Sequence, residues 1–220
     1  MIPTLNEGAH LAKALSSVRG DGVEIIVVDG GSEDGTVPLA RQAGVRVLES
    51  DRGRARQLRA GSEQATGEIV LFLHADTTLE TGWLDAVREA MQDPRCAGGA
   101  FTFRFSERGL RAYWIEFWVQ VRMALWRLPY GDQALFMRRE ILEQMGGVPI
   151  VPVMEDLDLV RGIKRAGELR VLPVAASTSL RRYVGRGAFR TLRTIGAHQY
   201  ALLGWALGWD RQRIAERMGR

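Results

Sequence analysis

Internal disulfides are out of reach for this chain, because its one cysteine, Cys96, has no partner and cannot hold a structural zinc alone. That excludes the stapled secreted scaffolds and fits a reducing cytoplasm. Lysine is nearly missing: of 30 basic residues only Lys13 and Lys164 are lysine. Arginine's planar fork suits phosphate, and a bias this global also follows from genome composition alone. Long apolar runs are missing as well. The longest uncharged stretch, Thr194 to Trp209, has sixteen residues and contains His198 and Gln199, short of the roughly 20 apolar residues of a spanning helix. Met1 leads straight into Ile2-Pro3-Thr4, so no signal peptide is expected. No G-x-G-x-x-G, G-x-x-x-x-G-K-[ST] or H-E-x-x-H pattern occurs.

What remains is an ordinary globular composition, 46% hydrophobic and 25% charged over 220 residues. Such a chain can bury a core as one α/β domain or two very small ones. Its charge is uneven. Residues 181–220 hold nine arginines against Asp210 and Glu216, a net of +7, and the rest nets −3. The basic excess therefore belongs to the tail, which favours a local anionic partner such as a phosphate or a membrane surface. With Trp205 and Trp209 the tail has two readings, self-packing or dimer contact, and seating on an anionic membrane.

Apolar runs and helical spacings alternate through the first half. Glu24 to Val28 and Ile69 to Leu73 read as buried strands and Val45 to Leu48 as a short one, with helices over Glu7 to Val18, Gly35 to Ala43 and Arg54 to Ala65. This βαβαβαβ order predicts a mostly parallel, Rossmann-like sheet with right-handed crossovers and flanking helices. Thr81 to Met91 follows as a helix, Gly98 to Phe105 as a strand, Ala134 to Met137 as a strand, and Arg139 to Met145 and Met154 to Ala166 as helices. Val171 to Val174 reads as the last strand, with Pro173 marking an edge or a bulge. From Leu110 to Leu128 a stripe of Leu110, Tyr113, Trp114, Phe117, Trp118, Val121, Leu125 and Leu128 predicts a helix whose aromatic face packs on the sheet, with a membrane or lipid contact as the alternative.

Four turns at predicted strand ends or helix starts carry acidic, amide or Gly-rich sequences, on the face where open α/β sheets bind ligands. The first is Pro3-Thr4-Leu5-Asn6-Glu7. The second, Asp29 to Thr36, has paired glycines that admit a ligand close to the backbone, and Asp29 can accept hydrogen bonds from a base or ribose. In the third, His74-Ala75-Asp76, a lone carboxylate can share a divalent cation with phosphate oxygens. The fourth is Met154-Glu155-Asp156-Leu157-Asp158, whose acids can complement a helix dipole or take a proton from a hydroxyl.

Together, in this order, the four turns resemble a family 2 glycosyltransferase of the GT-A fold, and are most similar to the bacterial subgroup called radical-SAM/selenodomain-associated transferase 2. The resemblance runs from Pro3 to about Arg193. It implies a glycosyltransferase domain over residues 1–180, with a nucleotide half to about residue 98 and an acceptor half from 99, followed by a basic helical segment over 181–220. PTLNE and VVDGGSEDGT look like the two nucleotide loops, so that Pro3, Thr4 and Glu7 would line the nucleotide and Asp29 would read uracil or an equivalent base. GRARQLRAGSEQATGEIVLFLHADT is similar to the central block, placing Arg54, Gln57 and Ala75 near the nucleotide and making Asp76 the metal-binding aspartate. PYGDQALFMRRE resembles the acceptor-side turn with Gly131, Asp132 and Gln133. In MEDLDL, Asp156 would be the catalytic base and Glu155 its neighbour in the acceptor pocket. TSLRRYVGRGAFRTLR matches a mobile segment in which Arg181 or Arg182 would close over the diphosphate.

Two features depart from the family pattern. Only Met1 and Ile2 stand ahead of PTLNE, too few for a central strand, and His74-Ala75-Asp76 offers one carboxylate where many relatives show Asp-x-Asp. The activity implied is an inverting, hexosyltransferase-like transfer from a nucleotide-diphosphate sugar, a UDP-sugar first, to an acceptor hydroxyl the sequence does not name, assisted by Mg2+ or Mn2+. A nucleotide-sugar-binding protein without transferase activity and a sugar nucleotidyltransferase are the alternatives. No nucleic-acid partner is expected. The expected location is the cytoplasm, with contact to the inner membrane face through the basic segment as the alternative to its self-packing or dimer contact.

Overall fold

The computed structural model of the chain describes residues 1–182 and 188–218, without the side chains of residues 182, 188–195 and 198. Three parallel strands open the fold, β1 (Ile2–Thr4), β2 (Ile26–Asp29) and β3 (Arg46–Glu49), joined by helices α1 (Gly8–Ser17) and α2 (Thr36–Gln42). Helix α3 (Arg54–Gln64) then leads to β4 (Ile69–Phe72). β1 is not a frayed edge. The Met1 amino group donates to the Leu71 carbonyl at 2.8 Å and the Leu73 N–H donates to the Met1 carbonyl at 2.9 Å, the spacing of a parallel pairing. Met1, just ahead of β1, is thus held by β4, while β1 itself pairs with β2 at the edge of the three-stranded sheet.

Beyond β4 come β5 (Thr77–Leu79), α4 (Trp83–Gln92), β6 (Cys96–Phe105), α5 (Leu110–Trp126), β7 (Leu135–Arg138), α6 (Arg139–Gln144), α7 (Glu155–Ala166) and β8 (Glu168–Thr178). These strands form a sheet in the order β4-β7-β6-β8-β5. Within it β6 and β8 run parallel and the other pairs antiparallel. Two apolar layers cover the sheets. Leu11, Leu15, Val27, Phe101 and Phe136 belong to one, and Leu58, Phe72, Met137, Leu159 and Ile163 to the other, as alternation along buried strands requires.

The last strand is longer than its apolar core implies, since Ala175 to Thr178 pair with β5 and β6 despite their weak strand preference. β8 is an interior strand, so Pro173 marks a bulge: the register slips between Leu172 opposite Phe101 and Ala175 opposite Thr102. Strand β5, three residues of threonine and leucine, has no periodicity long enough to announce it.

The aromatic stripe of α5 corrects the expected packing. Its inward face is Ala112 and Ile115 against Phe103 and Phe105, while Trp114, Phe117 and Trp118 point to solvent at 49%, 59% and 52% exposure. The basic segment forms α8 (Ala188–Ala206) and α9 (Arg211–Met218). Trp205, Ile214 and Ala215 pack with Tyr130, Val153 and Leu157, and Asp158 of α7 accepts from Trp205 Nε1 at 2.8 Å and Arg211 Nη2 at 3.0 Å. No helix among the described residues is long and apolar enough to cross a membrane.

Candidate active site

The loops after β1 and β2 are built as one unit. Asn6, at φ 55°, donates its N–H to Ser32 Oγ at 2.8 Å and accepts from the Glu33 N–H at 2.9 Å through Oδ1. The Glu7 N–H donates to Thr36 Oγ1 at 2.8 Å and the Gly8 N–H to Asp34 Oδ2 at 3.1 Å. Asp29 sits at the centre, 3% exposed. Its Oδ2 accepts the N–H groups of Gly31 at 2.9 Å and Ser32 at 2.7 Å, and its Oδ1 accepts the hydroxyls of Thr4 and Ser32. All four acceptor positions of the carboxylate are thus engaged. Gly31, at φ 91°, supplies the left-handed turn that lets these donors converge. Beneath the loops, Gln57 donates Nε2 to the Thr4 carbonyl at 2.7 Å and the Val28 carbonyl at 2.8 Å, bracing β1 against β2.

This arrangement makes the loops acid-sensitive. Burial works against ionisation of Asp29, but the Ser32, Thr4 and Gly31 donors outweigh it and hold its pKa below the usual carboxylate value. Hydrogen bonding from Thr36 depresses Asp34 as well. A depressed folded-state pKa means stability that is complete above the unfolded value, near 4, and lost as pH falls through the folded one. These carboxylates predict a fall in melting temperature below about pH 4, and the buried Met1 amino group, whose pKa burial lowers to about 5, adds a separate decline as pH falls from about 8 to 5. In Asp29→Asn the fall should be shallower, with a lower plateau; an unchanged acid limb would remove Asp29 from the account.

Asp76 follows β4, its side chain 1% exposed. Arg181 reaches it from the end of β8, with Nε 3.1 Å and Nη2 3.0 Å from Oδ2, and the same Nη2 donates to both Glu7 oxygens at 2.6 and 2.7 Å. One guanidinium thus ties the first loop to the third. Whether this end of the sheet suits a divalent cation turns on its donors. Among the described residues no group of three or more His, Cys, Asp or Glu could hold an ion alone. One buried carboxylate that already takes a cationic partner suits Mg2+ or Mn2+ only if the cation brings its other oxygens from a diphosphate and water, a usual mode for Mg2+.

Asp156 lies in the first turn of α7 and is nearly buried. Its Oδ2 accepts the Gly131 N–H at 2.9 Å, and its Oδ1 the Leu157 N–H at 2.9 Å. A Cβ on Gly131 would stand 3.0 Å from His74 Nε2 and 3.4 Å from Asp156 Oδ2, so glycine permits the approach. Arg54, at the start of α3, bonds Glu155 through Nε, stands 3.7 Å from Asp156 Oδ2 through Nη2, and lies 3.3 Å from His74 Nε2 through Nη1. Its pairing with Glu155 and Asp156 outweighs burial and raises the guanidinium pKa further. Pro3, Arg54, His74, Gly131, Glu155 and Asp156 line one small cavity. Among the described residues, three of the four non-glycine residues at positive φ, Asn6, Ala134 and Met154, stand in or beside these loops, where backbone strain often accompanies function.

The structure therefore gathers Pro3, Thr4, Glu7, Asp29, Arg54, Asp76, Gly131, Glu155, Asp156 and Arg181 around one end of the sheets. Others are absorbed into the frame. Gln133 is 1% exposed and spends its amide on the Phe101 carbonyl and Arg122. Ala75 packs in the core, which leaves only its backbone for a ligand, and Asp132 lies beside Gln133 in the 3-10 turn Gly131–Gln133. The Arg182 side chain lies outside the described residues. Two contributors were not singled out from sequence. His74 joins Arg54 to the Gly131 turn, and Asp158 anchors the tail; only their neighbourhood to Asp76 and Asp156 could have flagged them.

Known proteins resemble this chain in sequence and in fold. The family model described as glycosyl transferase family 2 matches residues 1–146. Glycosyltransferase AglE of Haloferax volcanii is 26% identical over 166 residues, covering 68% of this chain and 55% of that protein. Glycosyltransferase AglJ of the same organism is 37% identical over 101 residues, 44% of this chain and 32% of that one. The chain thus spans about half, or less, of these relatives' length. Among solved structures, the mannosyltransferase PcManGT from Pyrobaculum calidifontis, in complex with GDP-Man and Mn2+, superposes with a TM-score of 0.64 at 20% identity over 91% of this chain and 60% of that one. Glucosyl-3-phosphoglycerate synthase from Mycobacterium tuberculosis, in complex with Mn2+, UDP and its product, gives 0.65 at 20% over 94% and 78%. These likenesses establish the GT-A fold, and the model match over two thirds of the sequence establishes that the chain belongs to glycosyl transferase family 2.

Proposed function

We propose that the protein transfers a hexosyl group, with inversion, from a nucleotide-diphosphate sugar, a UDP-sugar first, to an acceptor hydroxyl. The observation that carries this reading is the placement of the Asp156 carboxylate in one small cavity with Pro3 of the first loop, Arg54 and His74, two residues from Asp76. Residues to about 98 form the donor half. Thr4, Glu7 and the Asp29 loop receive the nucleoside, and Asp29 meets the base by exchanging the Ser32 hydroxyl for a base N–H. Residues from 99 to 180 form the acceptor half.

Two backbone N–H groups aim Asp156 and leave further lone pairs on its oxygens for an incoming hydroxyl. As that oxygen attacks the anomeric carbon from the face opposite the diphosphate, Asp156 takes its proton. One carboxylate is enough, because a nucleoside diphosphate leaves without the acid that an alcohol leaving group requires. Bound Mg2+ or Mn2+ beside Asp76 would neutralise charge on the departing diphosphate. Arg181 exchanges its contact with Glu7 for the diphosphate, and Arg54 holds Glu155 beside the base. His74-Ala75-Asp76 and the segment from Thr178 support membership of the radical-SAM/selenodomain-associated transferase 2 subgroup.

The deciding experiment follows product chemistry. The protein is incubated with Mn2+ and UDP-, GDP- or dTDP-sugars, with and without a membrane-extract acceptor. Acceptor-dependent release of nucleoside diphosphate supports transfer. Pyrophosphate released from a nucleoside triphosphate and sugar phosphate would instead make the protein a nucleotidyltransferase, and binding without turnover would make it a sugar-nucleotide receptor.

A further inference from the structure

Helix α5 turns the usual arrangement of an amphipathic helix inside out. At about 100° per residue, Leu110, Tyr113, Trp114, Phe117, Trp118, Val121 and Leu125 fall within an arc of about 140° that holds no charged residue. The fold receives the opposite, smaller face, Ala112, Ile115 and Val119 with Met123. Leu110 and Leu125, at opposite ends of the stripe, are 90% and 65% exposed. Single exposed apolar residues are ordinary on soluble proteins, but a continuous aromatic stripe of this length marks an interaction surface.

Its composition and charge select the occupant. Trp and Tyr combine an apolar body with a polar tip and favour the boundary between lipid and water. Arg108, Arg111 and Arg127 flank the stripe, against Glu107 and Glu116, while Arg122 turns inward to Tyr130 and Gln133. Both acids are engaged within the fold, Glu116 by the Phe105 N–H and Glu107 by the Leu180 N–H and Ser179 hydroxyl. A second copy of this helix would bring arginine rims together with few acids to pair with them, whereas anionic lipid headgroups complement the rims. We propose that the outer face of α5 docks into the interface of an anionic membrane, with the aromatic stripe in the headgroup and acyl boundary and the arginines among the phosphates.

The surface is joined to the site. Leu180 packs against the inner side of α5, and the next residue, Arg181, binds Asp76 and Glu7. A seated α5 therefore holds the wall of the cleft at the bilayer, where an acceptor hydroxyl carried by a lipid is presented. The docking stands without the proposed reaction, and only this last statement rests on it.

The test uses the full chain without donor or acceptor, so that its failure is separate from failure of the transfer reading. Co-sedimentation is measured with phosphatidylcholine vesicles and with vesicles containing phosphatidylglycerol, beside Phe117→Glu/Trp118→Glu and Leu110→Ser/Leu125→Ser. Expected are binding to the anionic vesicles, a blue shift of tryptophan emission on binding, and weakening by about tenfold or more in each variant, the loss that follows when one large apolar side chain is no longer buried. Melting temperatures should stay unchanged, since the substituted side chains face solvent. Should a variant misfold, quenching of wild-type tryptophan by brominated lipid decides alone. No binding to any vesicle, binding untouched by both variants, or absent quenching would overturn the proposal. So would a concentration-dependent dimer that both variants dissolve without any vesicle binding, which would assign the face to a second copy.

Discussion

Asp156→Asn is expected to lower acceptor-dependent release of nucleoside diphosphate by about 10²- to 10⁴-fold while leaving donor affinity within about twofold, the loss typical of removing a positioned general base. The isosteric amide keeps the volume but not the acceptor chemistry. Asp156 receives one backbone N–H on each oxygen, from Gly131 and Leu157. Asparagine can satisfy only one, and its NH₂ group faces the other donor. The substitution should therefore also cost about 1–2 kcal/mol of stability, a fall of roughly 2–8 °C in melting temperature. Initial rates taken well below that temperature separate the two effects. Turnover within a few-fold of wild type would remove Asp156 as the base.

Arg54→Ala is expected to be the most destabilising single change at the site. The Glu155 carboxylate it leaves behind is 3% exposed and would lose its charged partner, a situation that typically costs about 3–5 kcal/mol. At roughly 2–4 °C per kcal/mol for a chain of this size, the melting temperature should drop by about 6–20 °C. Part of that loss comes from the stranded carboxylate and not from the missing guanidinium. The double variant Arg54→Ala/Glu155→Gln should consequently recover stability, with a coupling energy of at least about 1 kcal/mol. Additive losses in the cycle would show that Arg54 and Glu155 do not act as a unit.

Much of the architecture could be read from periodicity. The β-branched run at Ile26 to Val28 and the apolar run at Ile69 to Phe72 are buried strands whose ends deliver the acidic turns, as the alternation with helical segments requires. Where the reading failed, long-range pairing decided. The start of β1 is pinned because Met1, just ahead of it, bonds β4, a contact no local window contains. α5 shows the apolar spacing of a packed helix while presenting that face to solvent, since periodicity reports that a stripe exists and not what lies against it. Asp29, Asp76 and Asp156 stand out in the sequence because each occupies a turn at a strand end or helix start, whereas Arg54, Gln57, Gly131, Asp132, Gln133 and Arg181 are named only through the family resemblance. Their division of labour is not legible there, because Gln57, Gln133 and Glu155 differ from free ligand-binding groups only through their partners in the fold, as far as 101 residues away.

The central claim is that Asp76 serves the metal-bound donor while Asp156, distant along the chain, serves the acceptor at the same cleft. Calorimetric titration of UDP-sugar with and without Mn2+ into wild type, Asp76→Asn and Asp156→Asn tests it most directly, with a thermal melt as a second readout. The account predicts Mn2+-dependent binding that is weakened by about tenfold or more in Asp76→Asn and preserved in Asp156→Asn. At 100 times the dissociation constant, saturation should stabilise wild type by about 2.7 kcal/mol, or roughly 5–10 °C. Binding that is absent for UDP-, GDP- and dTDP-sugars alike, or indifferent to both Mn2+ and Asp76, would contradict it.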